Sequence, residues 1–192
     1  MANDLNKEGY KAIFLTETHK IIEGDILILL SCEKRFQKLH LNKHNLVVHE
    51  SALPKGKGWS PLTWQVLEGK NKMPVTLIEA LEKIDSGPIY DQIIIQLDGT
   101  ELIDELRKKQ AEATSILITG FIKNYPDNFA KKQKGDDSFY VRRNPEHSRL
   151  DINKTIAEQF NLLRVCDNER YPAWFEIKGQ KYLFKISKAK ND

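Results

Sequence analysis

Residues 45–61 read NLVVHESALPKGKGWSP, and this stretch constrains the fold more than any other. The apolar start is a strand that ends at a polar cluster headed by His49. Pro54, Gly56 and Gly58 then forbid a continued strand or helix, so a loop must follow. Ser60-Pro61 supplies an N-cap and a first helical position, opening a short helix that Gly69 closes. Upstream, after the turn-like EGD, Ile26 to Leu30 is a continuous apolar run suited to a strand covered on both faces. In α/β sheets ligands gather at the carboxyl ends of strands, so His49 stands where a site is expected.

The remaining elements extend the same pattern. Tyr10 to Leu15 (YKAIFL) reads as a short strand, and Pro74 to Ile78 and Ile89 to Leu97 as two more. The clearest helix runs from about Thr100 towards Lys123, with Leu102, Leu106, Ala113, Ile116, Leu117 and Phe121 on one stripe. Tyr125-Pro126 ends it. KKQKGDD reads as a polar loop. A helix over about 152–166 is expected to turn Ile152, Ile156, Phe160 and Leu163 inward, and AWFEIKGQKYLFKI reads as a hairpin turning at Lys178-Gly179. The fold class expected is α/β, a Rossmann-like, mostly parallel sheet with flanking helices and a C-terminal β-hairpin. A core over residues 1–130 and an extension over 131–192, packed on it, is the expected division.

Composition narrows the function classes. A formal net charge of +3, with basic residues spread along the chain, is not the clustered basic face of a dedicated nucleic-acid binder. No apolar stretch approaches the length of a membrane span, and MANDLNKEGY lacks the apolar core of a secretory signal. Cys32 and Cys166 are too far apart in sequence to suggest a disulfide framework or zinc cluster. The expectation is a cytoplasmic protein without a metal. No Gly-x-Gly-x-x-Gly follows the first strand, which argues against a generic dinucleotide-binding protein.

The chemistry-bearing constellation is His49, Ser51, Pro54, Gly56 and Gly58, with Asp85 and Gly87 further on. Taken singly these read as a polar strand cap, a flexible loop and a turn. Together they place a strand-end imidazole and a loop carboxylate where they can converge over one crevice.

These same residues resemble a known family. HESALPKGKGWSP (49–61) is similar to the His-x-Ser-x-Leu-Pro…Gly signature of folate-dependent formyltransferases, and VTLIEALEKIDSGPIY (75–90) resembles that family's stretch ending in Asp-x-Gly-x-Ile. Residues 142–184 resemble the region after the catalytic core in methionyl-tRNA and sugar formyltransferases. The first block is closest in form to the small sugar N-formyltransferases, including those of pseudaminic-acid pathways.

The resemblance implies formyl transfer from 10-formyltetrahydrofolate to the amine of a nucleotide-linked amino sugar. His49 would donate to the tetrahedral oxyanion, and Asp85 would orient His49 and carry a proton. The pterin is expected near Ser31, Cys32 and Glu33 and near the loop of Ile84 and Asp85. Lys55, Lys57, Trp59 and Trp64 flank the crevice for the acceptor. Arg142 and Arg143 are candidates for a diphosphate, solvated surface arginines being the other reading.

Two departures stand out. The family's catalytic Asn lies two residues before the His, where this chain has Val47; Asn45, further down the same strand face, either takes that role or caps the preceding turn. Amides of the PKGKG loop are a second possible oxyanion donor. Family members also begin with another strand and helix, so the sheet is abbreviated or its N-terminal strand is missing from this sequence. Alternatives are therefore a non-catalytic folate- or nucleotide-binding remnant, or methionyl-tRNA as acceptor. A homodimer through the hairpin face is a further expectation.

Overall fold

The computed structural model describes residues 1–32 and 36–189. Its centre is a four-stranded sheet of β1 (Gly24–Leu29), β2 (Asn42–His49), β4 (Lys72–Glu79) and β5 (Ile89–Gln96), in the order β1-β2-β4-β5. The α/β architecture is the one expected. Parallel pairing is carried by β1 and β2, while β2–β4 and β4–β5 run antiparallel. Between β4 and β5 the chain turns back through the loop 80–88, too short for a crossover helix, so that pair must be antiparallel. Two small sheets complete the set: β3 (Lys57–Gly58) beside β6 (Phe139–Tyr140), and the hairpin β7 (Ala173–Ile177) with β8 (Gln180–Phe184).

Alternation along β2 gives its two faces different tasks. Leu46, wholly buried, and Val48 join the main core with Met73, Val75 and Leu77 of β4. The long helix α3 (Ile103–Asn124) closes this side, burying Leu106, Ala113, Leu117, Ile118, Phe121 and Ile122. Ile116, expected on that stripe, is 62% exposed, and Ile118 is buried in its place. Helix α2 (Pro61–Leu67) begins at Pro61 as expected and ends at Gly69, whose φ of +77° the absence of Cβ allows. Ser60 makes no side-chain cap; it sits at φ +50°, turning the loop into the helix.

The N-terminal segment differs from expectation. Helix α1 (Ala2–Lys7) buries only Leu5, against Ile118 and Ile122. Tyr10 to Leu15 joins no strand among the described residues, and Tyr10, Ile13, Phe14 and Leu15 are exposed. The Asn6 side chain accepts from the Ala12 amide (2.8 Å) and donates to its carbonyl (2.9 Å), taking the groups a neighbouring strand would use.

The expected helix over 152–166 contracts to α4 (Phe160–Arg164), with Ile152 and Ile156 exposed. Asp151 and Glu158 carboxylates bind the amides of Asn153 and Thr155, and Gln159 donates to the Asp151, Lys154 and Thr155 carbonyls. These side chains offer the backbone turns in place of helix. The hairpin turns at Lys178-Gly179 as expected, both residues at positive φ (+52° and +77°), which matches strand twist.

The C-terminal part is fastened to the sheet side by a buried ion pair. Arg164 and Glu101 side chains are 2% and 4% exposed; the guanidinium donates to the Glu101 carboxylate (3.1 Å), the Glu101 carbonyl (3.0 Å) and Asn161 (3.1 Å). Burial acts to raise the Glu101 carboxyl pKa, but the Asp98 and Gly99 amides hold it below its ordinary value. Arg107 also pairs with Asp167 (2.8 Å).

Arg164→Ala should cost about 3 kcal/mol, because it removes one partner of a buried ion pair and leaves the Glu101 carboxylate to the Asp98 and Gly99 amides and to Lys109 at 3.4 Å; urea denaturation measures it. Asp167 is pulled down to about 2, chiefly by the Arg170 amide, with Glu169 and Arg107 assisting. A folded-state value below the ordinary 3.8 means stabilisation that is present above pH 4 and lost as pH falls towards 2. The stability difference between wild type and Asp167→Asn should shrink over that window.

Candidate active site

β2 delivers His49 to the sheet end opposite Thr76 of β4. The chain then turns sharply, with the Ser51 amide returning to the His49 carbonyl (2.9 Å). Thr76, completely buried, donates its hydroxyl to the Ser51 carbonyl (2.6 Å) and receives a hydrogen bond from Gln92 (2.7 Å). A buried carbonyl needs a hydrogen-bond partner, and Thr76 supplies it for Ser51.

The loop amides find partners far away in sequence. Gly56 donates to the Ser138 hydroxyl (2.8 Å), Lys57 to the Ser138 carbonyl (2.9 Å) and Trp59 to the Tyr140 carbonyl (3.2 Å). Gly58 donates to Asp85 Oδ2 (2.9 Å), and Lys55 to the Ala52 carbonyl (3.1 Å). Every amide from 55 to 59 is thus engaged, so the PKGKG loop offers no idle oxyanion donor. Gly58 sits at φ +96°, and a Cβ there would lie 2.5 Å from the Tyr140 carbonyl, so only glycine permits the β3–β6 approach.

Asp85 reaches the same place from the loop before β5. Its backbone is left-handed (φ +53°), uncommon for a residue with a side chain. Gln133 holds this turn by donating from one amide nitrogen to the Asp85 (2.9 Å) and Gly87 (2.8 Å) carbonyls. Gly87 lies flat on β4, where an added Cβ would fall 1.6 Å from the Glu79 carbonyl oxygen.

The two loops bring His49 and Asp85 together. His49 Nε2 lies 2.8 Å from the Gly56 carbonyl, which can only accept, so this nitrogen carries a proton. Nδ1 faces Asp85 Oδ1 at 3.6 Å, an ion-pair separation longer than a hydrogen bond. The side chains are 7% and 9% exposed, so little water screens their interaction. Behind His49, burial pushes the Glu50 carboxyl up from its ordinary range, with His49 and a hydrogen bond from Gln110 acting the other way.

The other expected residues fall in several places. Asn45 is buried, but its amide donates to the Leu39 and Asn42 carbonyls at the opposite end of β2, the turn-capping alternative, and Oδ1 has no partner. Lys57, 4% exposed, is bound to Asp137 (2.7 Å), which holds that carboxyl below its ordinary range. Arg143 donates to the Val165 and His147 carbonyls and the Ser148 hydroxyl, a structural role that leaves its fork engaged. Lys55 is exposed at the loop tip. The Trp59 ring, 41% exposed, lies under the Arg142 guanidinium at 4.6 Å, a cation–π pair at the loop mouth. Trp64 stacks on Tyr140 and donates to the Val141 carbonyl.

Ser31 (φ +48°) and Cys32 are exposed after β1, Ile84 is 64% exposed beside Asp85, and Glu33 lies outside the described residues. Sequence reasoning missed Gln133, Ser138 and Thr76. KKQKGDDS carries no periodicity, and its one signal was an amide and a hydroxyl among lysines and glycine. Among the described residues, no group of three or more His, Cys, Asp and Glu side chains is placed to hold a metal, and no helix is long and apolar enough to cross a membrane.

An enclosed imidazole–carboxylate pair at a strand end, between glycine-bearing loops of an α/β sheet, is an arrangement able to move a proton. No family model matches the chain. Over 136 residues it is 30% identical to the methionyl-tRNA formyltransferase of Bacillus velezensis, covering 69% of this chain and 43% of that protein. A methionyl-tRNA formyltransferase structure from Clostridium thermocellum superposes with a TM-score of 0.79 at 20% identity, covering 98% of this chain and 86% of that one. A 4-N formyltransferase from Francisella tularensis gives 0.73 at 18% identity, covering 98% and 84%. The chain is thus similar to formyltransferases in sequence and in fold, in keeping with the family resemblance of residues 49–61 and 75–90. It spans less than half the length of the curated relatives it matches.

Gly87→Ala should cost about 1–3 kcal/mol through overpacking against the β4 backbone, read as a lower midpoint in thermal denaturation.

Proposed function

We propose that this protein transfers the formyl group of 10-formyltetrahydrofolate to the amine of a nucleotide-linked amino sugar. The observation that carries the reading is the enclosed His49–Asp85 pair, held by two loops whose Gly58 and Gly87 cannot be replaced without displacing backbone. The acceptor amine attacks the formyl carbon, and a new C–N bond forms. His49 donates a hydrogen bond from the Nδ1 side to the oxyanion and keeps its proton, while the Gly56 carbonyl holds the ring in place. Asp85 takes the proton released by the amine and returns it to the folate nitrogen as the old C–N bond breaks. Formyl group and proton both end on products, and no covalent enzyme intermediate forms.

Ser31, Cys32 and Ile84 are the exposed residues available to the pterin, Ile84 as an apolar wall. Trp59 with Arg142 forms the platform for the acceptor, a flat ring beside a cation that suits a base and its phosphates. Lys55 adds an exposed positive charge. Arg143 and Lys57 serve the scaffold, and Asn45 the turn before β2. A compact platform and a net charge of +3 favour a small phosphorylated acceptor over tRNA, whose binding uses a larger basic surface. Methionyl-tRNA is the second reading, favoured by the sequence relatives. The exposed Ile177, Tyr182 and Leu183 of the hairpin support a homodimer.

The test is a mass-spectrometric assay with 10-formyltetrahydrofolate and a panel of nucleotide-linked amino sugars, with methionyl-tRNA as a separate arm. A formylated sugar is expected, with turnover falling about 10²–10⁴-fold in His49→Ala and Asp85→Asn. Product from tRNA alone would reverse the choice of acceptor. Binding of folate without product in either arm would favour the non-catalytic remnant.

A further inference from the structure

The segment after α3 crosses both loops of the site like a strap. Lys131 exchanges two backbone hydrogen bonds with Ile89, Ser138 and Tyr140 bind the 54–59 loop, and Asp137 pairs with Lys57. Between these anchors stands Gln133. Its amide nitrogen uses both protons, one on the Asp85 carbonyl and one on the Gly87 carbonyl, while Oε1 is buried with no partner. A side chain kept only for packing has no need of a donor aimed at two carbonyls of one turn. These two carbonyls belong to the turn that carries Asp85 in its left-handed conformation.

A left-handed residue with a side chain persists only where its surroundings over-determine it. With both carbonyls held on the strap side, the Asp85 carboxylate is directed to the Gly58 amide and to His49. We infer that Gln133 is a positioning residue: its two donated hydrogen bonds hold the Asp85 turn in the conformation that aims the carboxylate at His49. The inference rests on the reading of His49 and Asp85 as the acid–base pair. It adds a residue, from a segment that reads as an unremarkable polar loop, on which the alignment of that pair depends.

The test uses Gln133→Met, which keeps the volume and removes both donors, and Gln133→Ala as a second variant. Asp137→Asn is the control, since it loosens the same strap at Lys57 and leaves both Gln133 bonds to the Asp85 turn in place. Its other pairing, with Lys83 of that loop, is a 4.0 Å contact of an exposed lysine. Two readouts are taken on folded protein, with the thermal midpoint recorded for each variant. One is the 15N chemical shift of His49 Nδ1, which reports its proximity to the carboxylate and needs no substrate; Asp85→Asn supplies the reference change. The other is the split of steady-state formyl transfer into kcat and KM.

The expected result is a Nδ1 shift moved towards the Asp85→Asn value in both Gln133 variants but not in Asp137→Asn. kcat should fall about 10–100-fold with KM changed less than threefold, as sub-ångström to ångström misplacement of a catalytic group produces. If Nδ1 and kcat stay at wild-type values in Gln133→Met, or move equally in Asp137→Asn, Gln133 does not position Asp85. If Asp85→Asn itself leaves both readouts unchanged, the acid–base reading beneath the inference fails instead. Should Gln133→Ala unfold, Gln133→Met decides.

Discussion

The Gly58 amide donates to the Asp85 carboxylate, and this one bond joins the loop after β2 to the loop before β5. Each loop alone is a run of turn residues with little apolar surface to fix it. Joined, they hold an imidazole and a carboxylate at ion-pair distance with almost no solvent between them. The supports around the bond serve it in turn. Gly58 must approach the Tyr140 backbone, Gly87 must lie flat on β4, and Thr76 must satisfy the Ser51 carbonyl. The chemistry proposed for the site is therefore a property of backbone placement as much as of two side chains.

Much of this was legible in the sequence. Apolar runs located β1, β2, β4 and β5, Pro61 and Gly69 bounded α2, and Lys178-Gly179 marked the hairpin turn, because these signals act locally. His49 and Asp85 were legible as a pair through their loop chemistry and through family resemblance. What escaped were cases where side chains replace a backbone partner. Asn6 occupies Ala12, so an apolar hexad stays out of the sheet; Gln159 and Glu158 occupy the 151–155 backbone, so a plausible helix shrinks to one turn. Lys57 and Arg143 looked like ligand cations, since a sequence does not reveal that Asp137 and the Val165 and His147 carbonyls lie against them.

The replacement of the family asparagine by Val47 gains a physical context. Val47 lies opposite Ile78 of β4 and beside Leu29 of β1, an apolar cross-strand environment that suits valine. Asn45 does not move up to compensate, because the turn at Leu39 uses its donor. On the proposed mechanism the oxyanion is thus left to His49, which raises the demand on how well that ring is oriented by Gly56 and Asp85.

The bond from Gly56 to Ser138 spans 82 residues, and that from Gln133 to Asp85 spans 48. Contacts of such sequence separation carry a large loop-closure cost and form after the local ones. The four strands of the central sheet and α3 all lie before residue 125, whereas the residues that clasp the two loops lie at 131–140. The alignment of His49 with Asp85 therefore depends on a segment remote in sequence from both, in addition to the strands that carry them.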